Sequence, residues 1–212
     1  GCGERTFDEQ VHMNRHRMGA RGNATSFPLP WQDLLQQLQI KGADIQYGNE
    51  AVTQLEHALQ CADLAEQHQL PNATIAAALL HDIGHLLYED EDPIHKGKDG
   101  YHENLGADYL SNYFKEDVTI PIRAHVDSKR YLSSTEDGYY DSLSEASKLS
   151  LKVQGGPFTK EEAEEFIEKP FMKEAVEMRR FDDMAKVLNK KTPDLKHFQH
   201  YLEEAYKNFT SN

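Results

Sequence analysis

Ten residues, Ala76-Ala77-Ala78-Leu79-Leu80-His81-Asp82-Ile83-Gly84-His85, constrain this chain more than any other stretch. The first half reads as a helix of small and apolar side chains, to be packed on all sides. The second half carries two imidazoles and a carboxylate into the same interior. Burying such groups is costly unless they are paired or hold a cation, which points to a metal site. On a continuous helix from about Ala73 to Tyr88, N-capped by Asn72, His81 and Asp82 point about 100° apart. His85 returns to the face of His81 one turn later.

The surrounding sequence repeats apolar residues at helical spacing and nowhere alternates as a strand does. Trp31, Leu34, Leu35 and Leu38 mark a helix closed by Gly42. Val52, Leu55, Leu59 and Ala62 mark a second, from about Glu50 to Gln69. Further helices are expected from about Tyr101 to Phe114, Val118 to Leu132, Ser144 to Gln154, and after the Thr159/Glu162 capping box. Two more run from about Phe171 to Leu188 and from Thr192-Pro193 to about Phe209. The expectation is an all-α bundle of nine or ten helices over residues 31–212. Residues 1–30 form an N-terminal extension with partial disorder.

Charge and cysteine usage narrow the function classes. With 36 acidic against 23 basic residues and a net charge of -13, the chain is no general nucleic-acid binder and no peripheral protein of anionic membranes. No apolar run approaches the ~20 residues of a spanning helix. Cys2 and Cys61 imply neither a disulfide framework nor a thiolate metal site. A cytoplasmic setting is expected. The acidic run Glu89–Asp92 reads as a solvated loop.

The metal-competent residues in apolar or turn-spaced contexts are His57, His81, Asp82, His102, His125 and Asp182. Singly, each histidine is readily an ordinary hydrogen-bonded residue, as His68, His95, His197 and His200 are taken to be. Potential cations recur one turn from these positions: His85 after His81, Lys129 after His125, and Arg179 and Lys186 flanking Asp182. A turn rises about 5.4 Å, the depth of a small anion seated beside a metal. In so acidic a chain, such a wall suggests a phosphate or phosphonate ligand.

Together, His57, His81-Asp82 and Asp182 resemble the four-point pattern of the HD domain, an all-α metal fold. His102 and His125 match the two extra histidines of its dinuclear branch. Six nitrogen and oxygen ligands, with Asp82 able to bridge through two oxygens, suit a pair of metals, iron or manganese before zinc.

From Tyr47 to Lys186 the chain further resembles the PhnZ-type organophosphonate oxygenases. The likeness is carried by Tyr47-Gly48-Asn49-Glu50, by the segment from Gln54 to Ala62, and by His125-Val126-Asp127-Ser128-Lys129-Arg130-Tyr131-Leu132. Gln154-Gly155-Gly156 and Arg179-Arg180-Phe181-Asp182-Asp183-Met184-Ala185-Lys186 complete it. The resemblance implies a mixed-valence Fe(II)/Fe(III) pair and O2 as co-substrate. It assigns the phosphonate to His85, Lys129, Ser147, Ser150 and Arg179, with Lys186 in the same cationic wall. Glu50 would meet the substrate's amine, and Tyr47 would occupy the open iron until substrate displaces it.

The implied reaction is O2-dependent cleavage of the carbon–phosphorus bond of a 1-hydroxyphosphonate, foremost 2-amino-1-hydroxyethylphosphonate, to glycine and phosphate. Competing readings are the same chemistry on a trimethylammonium substrate, an HD phosphohydrolase using metal-activated water, and a catalytically silent sensor module.

Overall fold

The computed structural model describes residues 28–87 and 102–211. The extension up to residue 27, the acidic run Glu89–Asp92 and His95 lie outside the described residues. Among the described residues there are eleven α-helices and no strand, as the periodicity requires. No described helix is long and apolar enough to cross a membrane.

Helix α1 (Pro30–Gln37) runs into a π-helical turn, Leu38–Gly42. Helix α2 is Gln54–Gln67 and α3 is Asn72–Leu80, continued by a 3-10 turn at Ile83–Leu86. Then come α4 (His102–Leu110), α5 (Glu116–Arg123) and α6 (His125–Thr135). The short α7 (Tyr139–Ser142) and α8 (Glu145–Val153) precede α9 (Lys160–Ile167). The chain closes with α10 (Met172–Met184) and α11 (Leu195–Thr210).

Helix α3 is the axis of the bundle. Ala76, Ala77, Ala78 and Leu80 are wholly buried, so the helix has no solvent face. Small side chains let α2, α5, α11 and α10 all pack against it. The larger apolar cluster spans α1 to α5, α10 and α11. A smaller one joins Leu132, Tyr139, Leu143, Leu151, Phe166, Met172 and Val176. Helix α10 contributes to both clusters, and its far end delivers Arg179 and Asp182.

The count exceeds nine or ten for two local reasons. The helix expected over Val118–Leu132 breaks at Ala124, whose φ of -93° and ψ of 0° interrupt the α ladder. The stretch between the expected helices Val118–Leu132 and Ser144–Gln154 holds α7. Boundaries move for equally local reasons. Helix α2 starts at Gln54 rather than near Glu50, because Thr53 and Glu56 form a capping box. Val52 is buried just ahead of it. Helix α11 starts at Leu195, where the Asp194 carboxylate accepts from the His197 amide at 3.1 Å.

Two boundary shifts bear on the site. The central helix does not run to Tyr88: it ends at Leu80, and Asp82 sits outside α geometry with φ -103° and ψ 13°. Helix α10 does not run to Leu188 either. The Gln60 side-chain amide accepts from the Val187 N–H at 3.0 Å and donates to its carbonyl at 2.8 Å. That two-point grip draws the chain off the helix axis, so Lys186 leaves α10 rather than riding on its face.

Candidate metal centre

Breaking α3 at His81 is what opens the site. Beyond Leu80 the His81 ring turns inward, and its Nδ1 lies 2.6 Å from the Ala78 carbonyl three residues back. His125, opening α6 just after the Ala124 break, repeats the device, with Nδ1 2.7 Å from the Ile122 carbonyl. His57, on α2, sets its Nδ1 2.7 Å from the Ala185 carbonyl, which the end of α10 frees. A carbonyl can only accept, so each of these Nδ1 atoms carries the proton and each Nε2 turns a lone pair into the interior.

Those lone pairs converge. His57 Nε2 and His81 Nε2 stand 3.1 Å apart, and neither has a proton to give the other. Asp182 Oδ1 lies 2.8 Å from the first and 3.2 Å from the second. Asp82 Oδ2 lies 3.2 and 3.0 Å from the same two nitrogens. The other Asp82 oxygen faces a second group: Oδ1 is 3.1 Å from His102 Nε2 and 3.4 Å from His125 Nε2, themselves 3.0 Å apart. One carboxylate thus serves two ligand sets.

Asp82 Oδ2 is buried and accepts no hydrogen bond. Facing lone pairs and an unbonded buried carboxylate oxygen are what cations satisfy, so the donor set fits two metal ions with Asp82 between them. All six predicted ligands come together, every one of them buried. Against burial, Asp182 and Asp82 favour positive charge at His57 and His81, a charge that a metal ion at the Nε2 atoms would supply. Although burial opposes it, the Arg179 guanidinium holds Asp182 well below the usual carboxylate range. Burial, with His85 next, pushes His102 down to about 3, so its ring is neutral and able to ligate.

His85 departs from expectation. Because the helix ends before it, His85 does not return to the face of His81. It stacks on His102, ring centres 3.9 Å apart and 19° between planes, with Nε2 3.9 Å from Asp82 Oδ1. It therefore stands on the second ligand set's side. The approach depends on Gly84, where a Cβ would fall 2.0 Å from the His102 carbonyl oxygen.

The predicted cations gather beside the metal ligands. Lys129 is buried on α6, its Nζ 3.4 Å from the Ser147 carbonyl. Burial, with Arg179 the strongest charge against it, lowers its ammonium to about 7. Lys186 Nζ donates to Ser147 Oγ at 2.8 Å and stands 3.4 Å from Glu50 Oε1. Ser150 lies half-buried three residues beyond Ser147 on α8. Arg179 is buried, with Nη1 2.8 Å from Asp182 Oδ2 and Nε and Nη2 both on Asp183 Oδ1. Tyr47 stacks flat on His57, ring centres 3.8 Å apart, and its hydroxyl lies 3.3 Å from Asp182 Oδ1.

Residues read otherwise in the sequence also belong here. Ser144, where a helix was expected to begin, accepts from the Ser147 amide, and its hydroxyl also donates to Glu50 Oε1 at 2.6 Å. Gln60 has no local signature, since its partner lies 127 positions away. Asp183 could have been noticed, being four residues from Arg179 on the same helix. The ordinary histidines stay ordinary: His68 bonds the Leu64 carbonyl and His197 pairs with Glu66.

Residues 55–161 match the HD domain family. Over 157 residues the chain is 46% identical to a hydroxymethylphosphonate dioxygenase of Gimesia maris, covering 73% of this chain and 78% of that protein. It is 44% identical over 156 residues to the glycine-betaine-forming [1-hydroxy-2-(trimethylamino)ethyl]phosphonate dioxygenase of Leisingera caerulea, covering 73% and 80%. An uncharacterized protein of Acanthamoeba polyphaga mimivirus is 37% identical over 177 residues, covering 82% and 80%. With two ligand sets sharing one aspartate and relatives of this kind along most of its length, the chain belongs to the HD-domain family, in its PhnZ-type phosphonate dioxygenase branch.

Proposed function

We propose that this chain is an O2-dependent oxygenase that cleaves the carbon–phosphorus bond of a 1-hydroxyphosphonate at a mixed-valence Fe(II)/Fe(III) centre. The preferred substrate is 2-amino-1-hydroxyethylphosphonate, which takes up one O2 and yields glycine and phosphate with all atoms accounted for. The observation that carries the reading is the division of Asp82, Oδ2 toward His57, His81 and Asp182, and Oδ1 toward His102 and His125. The similarity to two phosphonate dioxygenases supports it.

These six residues would hold the two irons, which supply the O2 chemistry that a carbon–phosphorus bond, resistant to hydrolysis, requires. The remaining residues bind and orient. Lys129, Lys186, Ser147 and Ser150 form the anion pocket, with His85 closing it from the second ligand set. Phosphonate charge offsets the cost of burying Lys129 and restores its proton. Arg179 borders the pocket and offers the N–H groups not committed to Asp182 and Asp183. Glu50, now engaged by Ser144 and Lys186, exchanges them for the substrate's amine. Tyr47, lying over His57, keeps water from the ligand set until substrate arrives.

The test is reaction of the iron-loaded, partly reduced protein with 2-amino-1-hydroxyethylphosphonate, following oxygen, phosphate and glycine together. Equal phosphate and glycine, absent without oxygen, are expected. Phosphate ester hydrolysis without oxygen uptake would overturn the reading in favour of a phosphohydrolase. Preferential turnover of the trimethylammonium or unsubstituted hydroxymethyl analogue would keep the chemistry and reassign the substrate.

A further inference from the structure

A line of hydrogen bonds leads away from the metal ligands through Arg179 to Asp183 and Tyr139, two residues to which the proposed reaction gives no role. Asp182 turns Oδ1 to the His57 and His81 nitrogens. Its Oδ2 takes Arg179 Nη1 at 2.8 Å. The same guanidinium places Nε at 3.1 Å and Nη2 at 2.6 Å from Asp183 Oδ1. Asp183 Oδ2 in turn receives the hydroxyl of Tyr139, from the short α7. Arg179 and Tyr139 are 4% and 7% exposed.

The chemistry of each link runs one way. A guanidinium is always charged and only donates, so the two aspartates must be its acceptors. An isolated buried guanidinium beside Asp182 would offset the charge Asp182 offers a cation. The second carboxylate, Asp183, balances that guanidinium and leaves Asp182 anionic. It also fixes the guanidinium plane, because two of its nitrogens converge on one oxygen. Tyr139 completes Asp183 from outside; burial and the Asp183 carboxylate, opposed by Arg179, hold its hydroxyl far above the ordinary tyrosine range, so it remains a donor.

We infer that Tyr139, Asp183 and Arg179 form a positioning relay that holds Asp182 as a one-oxygen ligand of the first metal position. Arg179 is on this account mainly a support of the metal ligand, and anion binding falls chiefly to Lys129 and Lys186. The inference rests on the metal reading of the His57, His81, Asp82 and Asp182 set.

The test is titration of metal-free protein with Mn(II) and Fe(II), following stoichiometry and affinity, together with the spectrum of the iron-loaded form and KM and kcat. Wild-type protein is expected to bind two ions. Asp183→Asn is expected to weaken the first position by roughly 10- to 100-fold, the usual cost of losing a group that orients a metal ligand, and to alter the iron spectrum. Tyr139→Phe should move both in the same direction by less. Asp183→Glu should restore part of the loss, and thermal unfolding shows whether each variant is folded.

Unchanged metal affinity and spectrum in folded Asp183→Asn and Tyr139→Phe, with only KM for the phosphonate raised, would overturn the relay and return Arg179 to the substrate. Failure of the wild-type protein to bind metal would instead sink the metal reading itself, and the relay with it.

Discussion

The two ligand sets that meet at Asp82 are built differently. The first draws His57, His81 and Asp182 from α2, the end of α3 and α10, elements packed into the larger apolar cluster. Two of its imidazoles are locked by backbone carbonyls, and its private carboxylate is held by a guanidinium. Among the described residues, the second, His102 and His125, has no carboxylate ligand beyond the shared Asp82. There only His125 rests on a carbonyl, while His102 Nδ1 lies 3.5 Å from Glu103 Oε2. One additional anion and more committed supports are expected to make the first set the tighter cation site. The lesson is that two ligand sets sharing one carboxylate need not be alike in what holds them.

Asp82→Ala should have the largest effect, because it strips both sets at once. Neither ion should be retained on gel filtration and oxygen-dependent turnover should fall below detection; retention of two ions would show that the sets do not share this carboxylate. Gly84→Ala separates the halves. Its Cβ would strike the His102 carbonyl, so the 3-10 turn and α4 must part, at a cost of roughly 1–3 kcal/mol in chemical denaturation. One ion should remain, in the first set. Loss of both, or of neither, would remove the proposed asymmetry.

Lys129 tests the pocket beside the sets. Its ammonium is present below about 7 and is lost above it, so kcat/KM for a phosphonate should fall as pH rises through that range. Lys129→Met should abolish this limb and raise KM roughly 10-fold or more, with metal stoichiometry kept at two. The smallest effect is expected for Thr53→Ala. Losing the cap of α2, which carries His57, should cost about 1 kcal/mol of stability in urea, with both ions still bound. A change in metal content there would mean that the first set is less firmly supported than its contacts imply.

Much of this was legible in the residues. The unbroken apolar character of Ala76–Leu80 announced a helix buried on all sides, and imidazoles and a carboxylate at its end announced a metal, because neither belongs in such an interior without one. The cations recurring near these residues suggested an anion. The six candidate ligands could be named together because they match the pattern of the HD domain's dinuclear branch, and the fold brings their side chains within reach of one another. Less legible were the helix ends. Periodicity continues through His81 and through Ala124, whereas the breaks are set by contacts that periodicity does not contain. His85 was misplaced for that reason, and Lys186 was carried along a helix that ends before it.

By itself, then, the sequence determined the all-α class, through helical spacing, and the candidate residues of the metal site and the cationic wall, through side-chain chemistry and the resemblance to the HD domain. Only the tertiary structure decided that Asp82 turns one oxygen to each ligand set, that Gln60 draws Lys186 off α10, and that Tyr139 reaches Asp183. The physical reason is that these are hydrogen bonds and ion contacts between groups from 20 to 127 positions apart. Their geometry exists only after the apolar clusters have packed the helices that carry them.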